Sequence, residues 1–310
     1  MIVVFGSINL DLVARVATLP AAGETLAARS FASRPGGKGA NQALAARRAG
    51  AGIALFGAVG RDAFAVPALA LIRASGIDTA GVKEVDAATG LAMIHVDDAG
   101  ENMITIVAGA NAHASSASID DARLTSATTV LLQFETPPQE SLGLATRAKA
   151  RGARVILNCA PARPLDRKWL DSIDVLVVNA GEAIVVAREA GLPEEPSAFV
   201  QAVSSRHRIT AIVTQGGDGV VAATTDATYA LPALAVDIVD TVGAGDAFTG
   251  VLAAMLDGGQ PLPFALAAAT TAGSLACTRE GAQQSLPDAA AIAAAAPSLL
   301  KQLRINARSP

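Results

Sequence analysis

Aromatic side chains are scarce in this sequence: one Trp, one Tyr and eight Phe among 310 residues. Basic residues do not outnumber acidic ones, with 24 Lys and Arg against 28 Asp and Glu. Nucleic-acid binders carry a basic field and stacking aromatics, so that class is set aside in favour of a small-molecule ligand. Cysteine is nearly absent. Cys159 and Cys277 lie far apart and form no CxxC pair, which argues against a disulfide framework and fits a reduced, cytoplasmic setting. The N-terminus, "MIVVFGSINLDL", lacks a basic leader and a sustained apolar run, so a first strand is expected there and not a signal peptide. One charge-free stretch does occur, at 258–278, but Gln260, Pro261, Pro263 and several Thr and Gly interrupt it. It reads as a buried, alanine-rich helix and not as a membrane span. No linker rich in Pro, Gly or Ser divides the chain, and no internal repeat is visible.

Apolar residues make up 51% of the chain, enough for a sizeable core. Short apolar runs at 53–60, 130–134, 154–158, 174–179 and 211–215 read as strands buried on both faces, as in a parallel sheet. Helical patterns fall between them at 39–49, 62–75, 138–151, 180–190 and 196–207. This alternation predicts one doubly wound α/β domain spanning 1–310. Residues 90–107 break the rhythm. They read as a hairpin turning at Asp98, Ala99 and Gly100. With a strand-like stretch at 9–30 they are expected to form a small second sheet, a lid over the main one.

Three glycine-bearing loops carry the chemistry. "GGKGANQA" (36–43) is not a Walker A motif: Ala32 stands where the first Gly is needed, and Gly39 follows Lys38 where Ser or Thr is needed. It is either a flexible turn at a helix start or a loop whose glycines, Gly36, Gly37 and Gly39, let the backbone approach a small polar ligand, with Lys38 and Asn41 as donors. "DTVGAGDAFTG" (240–250) precedes a helix with Phe248, Leu252, Met255 and Leu256 on its apolar face, ended by Gly258 and Gly259. A Gly-Ala-Gly turn there aims free N–H groups and the helix dipole at one spot, an anion hole. Asp246 beside it is either a favourable N-terminal carboxylate or the base of a phosphoryl transfer. "TQGGDGVV" (214–221) follows a strand end and suits a nucleotide strap or a simple hairpin turn. In "NAGE" (179–182), Glu182 is either favoured by the helix dipole or holds a magnesium ion through water.

Taken in order, "GSINLD" (6–11), "PAAGET" (20–25), "GGKGANQA" (36–43), "GENMITIVAGAN" (100–111), "LLQFETP" (131–137), "LNCAPAR" (157–163), "NAGE" (179–182), "DTVGAGDAF" (240–248) and "TREGAQQSLP" (278–287) resemble the ribokinases of the PfkB carbohydrate kinase family over nearly the whole chain. The resemblance implies a ribokinase-like fold and ATP-dependent phosphorylation of the 5-hydroxyl of D-ribose. It implies that Asn9, Asp11, Gly37, Lys38, Asn41 and Glu135 bind the sugar hydroxyls, with Asp246 as base and Gly243, Ala244 and Gly245 as the anion hole. Charge-assisted hydrogen bonds from paired carboxylate and amide groups suit adjacent hydroxyls. Asn179, Thr214, Gln215, Gly216, Gly217, Asp218, Gly219, Gly245 and Thr270 are implied in nucleotide binding, and Glu182 in organising Mg2+ and phosphate.

The resemblance further implies a K+ site using Asp240 and oxygens of Val242, Ala276, Arg279, Gly281 and Ser285, and a homodimer formed through the lid at about 9–30 and 90–110. Some positions depart from the family pattern. Ala180 and Gly181 replace Thr-Glu, Gly243 replaces Ala, and Cys159 replaces a common proline. Rival readings are a kinase for 2-deoxyribose or another pentose, a nucleoside kinase, and a silent sugar-binding regulator. The regulator is disfavoured because Asp246 and the 243–245 glycine turn are intact, and the nucleoside kinase because few aromatics are available to stack a base.

Overall fold

The computed structural model describes residues 1–308. Among them the strands form two sheets, one of ten strands and one of four. In the large sheet, β1 (Ile2–Phe5) lies between β4 (Ile53–Gly60) and β8 (Thr129–Leu132), with β5 (Asp78–Val85) outside β4. Beyond β8 follow β9 (Arg154–Asn158), β10 (Val175–Asn179) and β11 (Thr210–Thr214), all parallel. An antiparallel extension of β12 (Val220–Ala223), β13 (Ala227–Leu231) and β14 (Arg304–Ala307) completes it.

Successive side chains of a strand point to opposite faces, and here both faces are apolar. Ile2 and Val4 of β1 meet α1 (Lys38–Arg48), α5 (Ala244–Asp257), α6 (Leu262–Ala276) and α7 (Ala289–Leu300) in one core. Val3 and Phe5 meet α2 (Pro138–Ala150), α3 (Ala180–Ala190) and α4 (Pro196–His207) in the other. Each fully buried aliphatic side chain in these layers contributes roughly 1.5–3 kcal/mol. This is the doubly wound α/β architecture that the alternating pattern predicts. The charge-free stretch 258–278 contains α6, whose alanines are buried among α5 and α7. Among the described residues no helix is long and apolar enough to cross a membrane.

The strands expected at 53–60 and 154–158 and the helices expected at 180–190 and 196–207 coincide with the observed elements. The helix expected at 62–75 does not form as one piece. Asp62 Oδ1 accepts the N–H groups of Phe64 and Ala65, and two short helices follow, Ala65–Ala68 and Ala70–Ala74. Pro67 sits in the first turn, where its missing N–H is not needed.

The small sheet is built from β2 (Asn9–Arg15), β3 (Ser30–Gly36), β6 (Gly90–Val96) and β7 (Asn102–Val107), in the order β3-β2-β6-β7. The expected hairpin is β6–β7, antiparallel, with Asp97 accepting from the N–H groups of Ala99 and Glu101 across its turn. The β2–β6 pair is parallel. Residues 16–29 carry no strand, and the partner of β2 is β3 instead.

Candidate active site

The parallel strands finish on one side of the large sheet, where ligands bind in open α/β folds. β1 runs out into Gly6 and Ser7, and β8 into Gln133, Phe134 and Glu135; β9 ends at Asn158, β10 at Asn179 and β11 at Thr214. Two helix starts open at the same place. Gly37 caps α1 at φ 89° and Gly243 caps α5 at φ 81°, both without a side-chain cap. A cavity of about 230 Å³ lies among them, lined by Lys38, Asn158, Asn179, Glu182, Thr214, Thr241, Gly243, Gly245 and Asp246, with Thr249 behind.

Asp246 is buried in the first turn of α5. Asn41 Nδ2 donates to its Oδ2 at 2.8 Å, and Gln42 Nε2 to its Oδ1 at 2.8 Å. The N–H groups of a helix's first turn have no intrahelical acceptor. Gly243 supplies no side-chain capping oxygen; the Ala244 N–H meets Thr241 O at 3.3 Å, and the other donors of the turn and the helix dipole remain available to an anion. A carboxylate acceptor and an uncapped helix N-terminus thus face one cavity.

The sugar-side candidates gather next to it. Glu135 Oε2 accepts from Ser7 Oγ at 2.6 Å and from the Lys38 N–H at 3.1 Å. Burial, together with the nearby charges of Glu135 and Asp246, raises the Asp11 carboxyl to about 7. Burial by itself lowers the Lys38 ammonium, but the carboxylates of Asp246, Glu135 and Glu182 outweigh it and leave the group raised. Asn9 Oδ1 accepts from Asn111 Nδ2 at 2.7 Å, and Asn111 Oδ1 accepts from the Ile8 N–H at 2.9 Å. Asn41 Oδ1 is buried without a partner among the described residues. A buried amide oxygen in that state favours a ligand hydroxyl that donates to it.

Asn179 and Glu182 form a reciprocal capping box at the start of α3. Asn179 Oδ1 accepts the Glu182 N–H, and Glu182 Oε2 accepts the Asn179 N–H, each at 2.8 Å. Burial raises the Glu182 carboxyl, and the Asn179 N–H and Lys38 only partly offset this. A cation arriving in the cavity would relieve that cost. Gln215 to Gly219 form a tight turn, with the Gln215 N–H bonded to Gly219 O at 2.8 Å. Of the 214–219 segment, only Thr214 lines this cavity. Thr270 is buried in α6, its hydroxyl unpartnered among the described residues, and does not line this cavity either.

The expected cation-site residues lie on two adjoining segments. Asp240 accepts from the Val242 N–H at 3.0 Å and from the Gly281 N–H at 2.8 Å, and the Val239 and Asp240 N–H groups both reach Cys277 O. Asp240, Val242 and Gly281 line a cleft beneath the small sheet, whereas Arg279 and Ser285 line a separate cavity with Arg48 and Asp288. Ala276 closes α6 between them. Glu280 of this segment is gripped by Arg15 and Arg34 of the small sheet, each at 2.9 Å.

Sequence reasoning did not single out Ser7, Gln42, Asn111, Gln133 or Asn158. All five lie inside or at the end of the segments that carried the family resemblance. Gln133 and Asn158 carry a readable signal, a polar residue in or at the end of an apolar run, which marks either a buried network or a site; Ser7, Gln42 and Asn111 carry none beyond the segments themselves.

A family model described as pfkB family carbohydrate kinase matches residues 1–289. A ribokinase of Lactococcus lactis is 33% identical over 306 residues, covering 98% of this chain and 98% of that protein. A deoxyribokinase of Salmonella typhi is 33% identical over 294 residues, covering 92% and 95%. The solved structure of the Arabidopsis thaliana ribokinase complexed with ribose and ATP matches with a TM-score of 0.84 at 31% identity, covering 97% of this chain and 98% of that one.

Proposed function

Because the chain belongs to the pfkB family of carbohydrate kinases, we propose that it transfers the γ-phosphoryl group of ATP to the 5-hydroxyl of D-ribose, giving ribose 5-phosphate and ADP. The observation that carries this reading is the buried Asp246 carboxylate, held by Asn41 and Gln42 at the open N-terminus of α5, in a cavity shared with Lys38 and Glu182. Asp246 takes the proton of the 5-hydroxyl. The sugar oxygen then bonds to the γ-phosphorus as its bond to the ADP oxygen breaks. The N–H groups of Gly243, Ala244 and Gly245 stabilise charge on the group in transit. Asn9, Asp11, Gly37, Lys38, Asn41 and Glu135 hold the sugar, and the unpartnered Asn41 Oδ1 supports this assignment.

Asn179, residues 214–219, Gly245 and Thr270 are assigned to the nucleotide. Mg2+, when bound, neutralises phosphate charge, and Glu182, whose carboxyl burial keeps raised, would hold it through water. The carbonyl-rich segments around 240–242 and 276–285 suit a large, weakly hydrated cation. K+ is assigned there, with Asp240 as the carboxylate among its ligands. The small sheet acts as a lid that excludes water. Phe31, Met93, Met103, Ile104 and Ile106 leave it with exposed apolar surface, which supports a homodimer through the lids, checked by light scattering at micromolar concentration. The proposed setting is the cytoplasm, where ATP is available.

A coupled ADP-release assay over pentoses, hexoses and nucleosides tests the reading. D-ribose is expected to give the highest kcat/KM, and no sugar-dependent ADP release would reject it. The deoxyribokinase relative favours 2-deoxyribose as the second substrate to measure.

A further inference from the structure

A carboxylate can only accept hydrogen bonds, and that fact orients a chain of amides leading away from Asp246. Gln42 meets Asp246 Oδ1 with its nitrogen, and the second hydrogen of that nitrogen goes to Asn158 Oδ1 at 2.9 Å. Asn158 is set in turn by donating its Nδ2 to Val177 O at 3.2 Å. With its nitrogen committed, Gln42 turns its oxygen the other way, where Gln133 Nε2 donates to it at 2.7 Å. Gln133 must therefore face away with its own oxygen, and that Oε1 is buried with no partner among the described residues. It lies against the bare backbone of Gly6, where a Cβ would stand 2.1 Å from it. Both glutamines are completely buried, and neither lines the cavity.

Along this chain of amides the orphan acceptor stands at the far end, beyond Gln133; a second one, Asn41 Oδ1, belongs to the other amide that donates to Asp246. Turning Gln133 over would put two oxygens face to face, and turning Gln42 as well would put an oxygen against the carboxylate. The network leaves one buried oxygen unsatisfied, which is unfavourable, and in exchange presents a donor to Asp246. From this geometry we infer that Gln42, its amide orientation supported by Gln133, is a positioning residue for the reaction: it fixes the plane of the Asp246 carboxylate toward the substrate hydroxyl. The inference rests on the reading of Asp246 as the base, and it assigns the amides a directional role that packing alone would not need.

Four variants of the full chain test it: Asp246→Asn, Gln42→Met, Gln133→Met and Gln133→Glu, each checked by thermal unfolding and assayed with ribose and ATP. Gln42→Met keeps the volume and loses the donor. Its kcat is expected to fall by roughly 10–100-fold, as when an orienting outer partner is lost, with the ribose KM little changed. Gln133→Met leaves Gln42 free to keep its nitrogen on Asp246 and should cost less. Gln133→Glu gives the discriminating result. A protonated carboxyl at 133 still donates to Gln42 Oε1 and preserves the chain. Once ionised it accepts only, draws the Gln42 nitrogen to itself and turns an oxygen onto Asp246. Its kcat is therefore expected to fall with rising pH along a limb that the parent and Gln133→Met both lack.

A Gln42→Met kcat within about twofold of the parent, while Asp246→Asn is inactive, would overturn the inference and leave the base assignment standing. Identical pH profiles for Gln133→Glu and Gln133→Met would also overturn it, and would do so even if Gln42→Met failed to fold. Full activity in Asp246→Asn would instead reject the reading of Asp246 itself.

Discussion

The two glycine-bearing loops that open α1 and α5 look alike in sequence and differ in what surrounds them. Both caps have positive φ, and both helices begin at the cavity. Around the first loop, however, the backbone is packed against β1 and β2. A Cβ on Gly39 would lie 2.5 Å from Gly6 C, and one on Gly37 would lie 2.7 Å from the Asn9 nitrogen. In the second loop a Cβ on Gly245 would meet nothing within 4 Å. Gly243 is packed as well, a Cβ there standing 2.9 Å from Ala282 Cα, so the absence of a side chain serves close packing throughout the first loop and leaves open space for a ligand only at Gly245 in the second. A glycine-rich loop is a phosphate signal only in the second sense.

The largest effect expected from testing this contrast belongs to Asp246, which only the second loop carries. Asp246→Asn keeps the size but cannot accept the proton, and kcat is expected to fall on the order of 10²–10⁴-fold with the ribose affinity nearly kept. Steady-state kinetics together with ribose titration separate the two quantities.

The glycines themselves give the next test. Gly245→Ala should leave the melting temperature unchanged or slightly higher, since Ala is the better helix former. Its methyl group intrudes where phosphate is expected, and kcat should drop on the order of 10²-fold if the reacting groups are displaced by about 1 Å. Gly39→Ala should show the reverse emphasis. Its methyl forces the α1 backbone off Gly6, overpacking that typically costs about 1–3 kcal/mol, and the melting temperature should fall. Parallel melting and kinetic measurements on the two variants would break the comparison if both lost stability equally.

A smaller effect is expected from the cation. Asp240 ties the second loop to the 277–285 segment through the N–H groups of Val242 and Gly281. Potassium is expected to raise kcat a few-fold while leaving the ribose KM nearly unchanged, and sodium to substitute poorly. Asp240→Ala should remove the difference between the two salts at matched ionic strength. Equal parent rates in both would refute the site.

The smallest expected effect concerns pH and the sugar side of the first loop. Asp11 is raised to about 7 by burial and by its neighbours Glu135 and Asp246, against an ordinary value near 3.9. The folded protein therefore holds a proton that the unfolded chain releases between these two values, and the group's contribution to stability falls as pH rises through that window. Asp11→Asn should flatten this part of the stability curve of the free protein, as read from melting temperatures between pH 4 and 8. In the parent, ribose affinity should strengthen as pH approaches and passes about 7, because the ionised carboxylate is the better hydroxyl acceptor; isothermal titration across that range checks it.

Central strands were legible because both their faces are buried, so the sequence is continuously apolar there, as in "IALFGAVG" (53–60) and "RVILN" (154–158). The edges were not. β5 buries only Gly81, and β14 is exposed along its whole length, so neither carries the apolar run that marks a strand. β3, which contains Pro35 and is exposed at Ser30, Phe31 and Ser33, lacks such a run for the same reason, and the stretch 9–30 that reads as strand-like holds only β2 and the first residue of β3.

What the sequence determined by itself was the alternation of buried strands and amphipathic helices, and the residue types at each strand end and helix start. These depend on local periodicity and short-range backbone chemistry, and both are written within a window of a dozen residues. The tertiary structure alone decided which loop glycines are packed and which is open, and that one carboxylate orients Gln42 and, 91 positions away from it, Gln133. A hydrogen bond's direction depends on what stands opposite each oxygen and nitrogen, and that is settled only when distant strands bring the groups face to face.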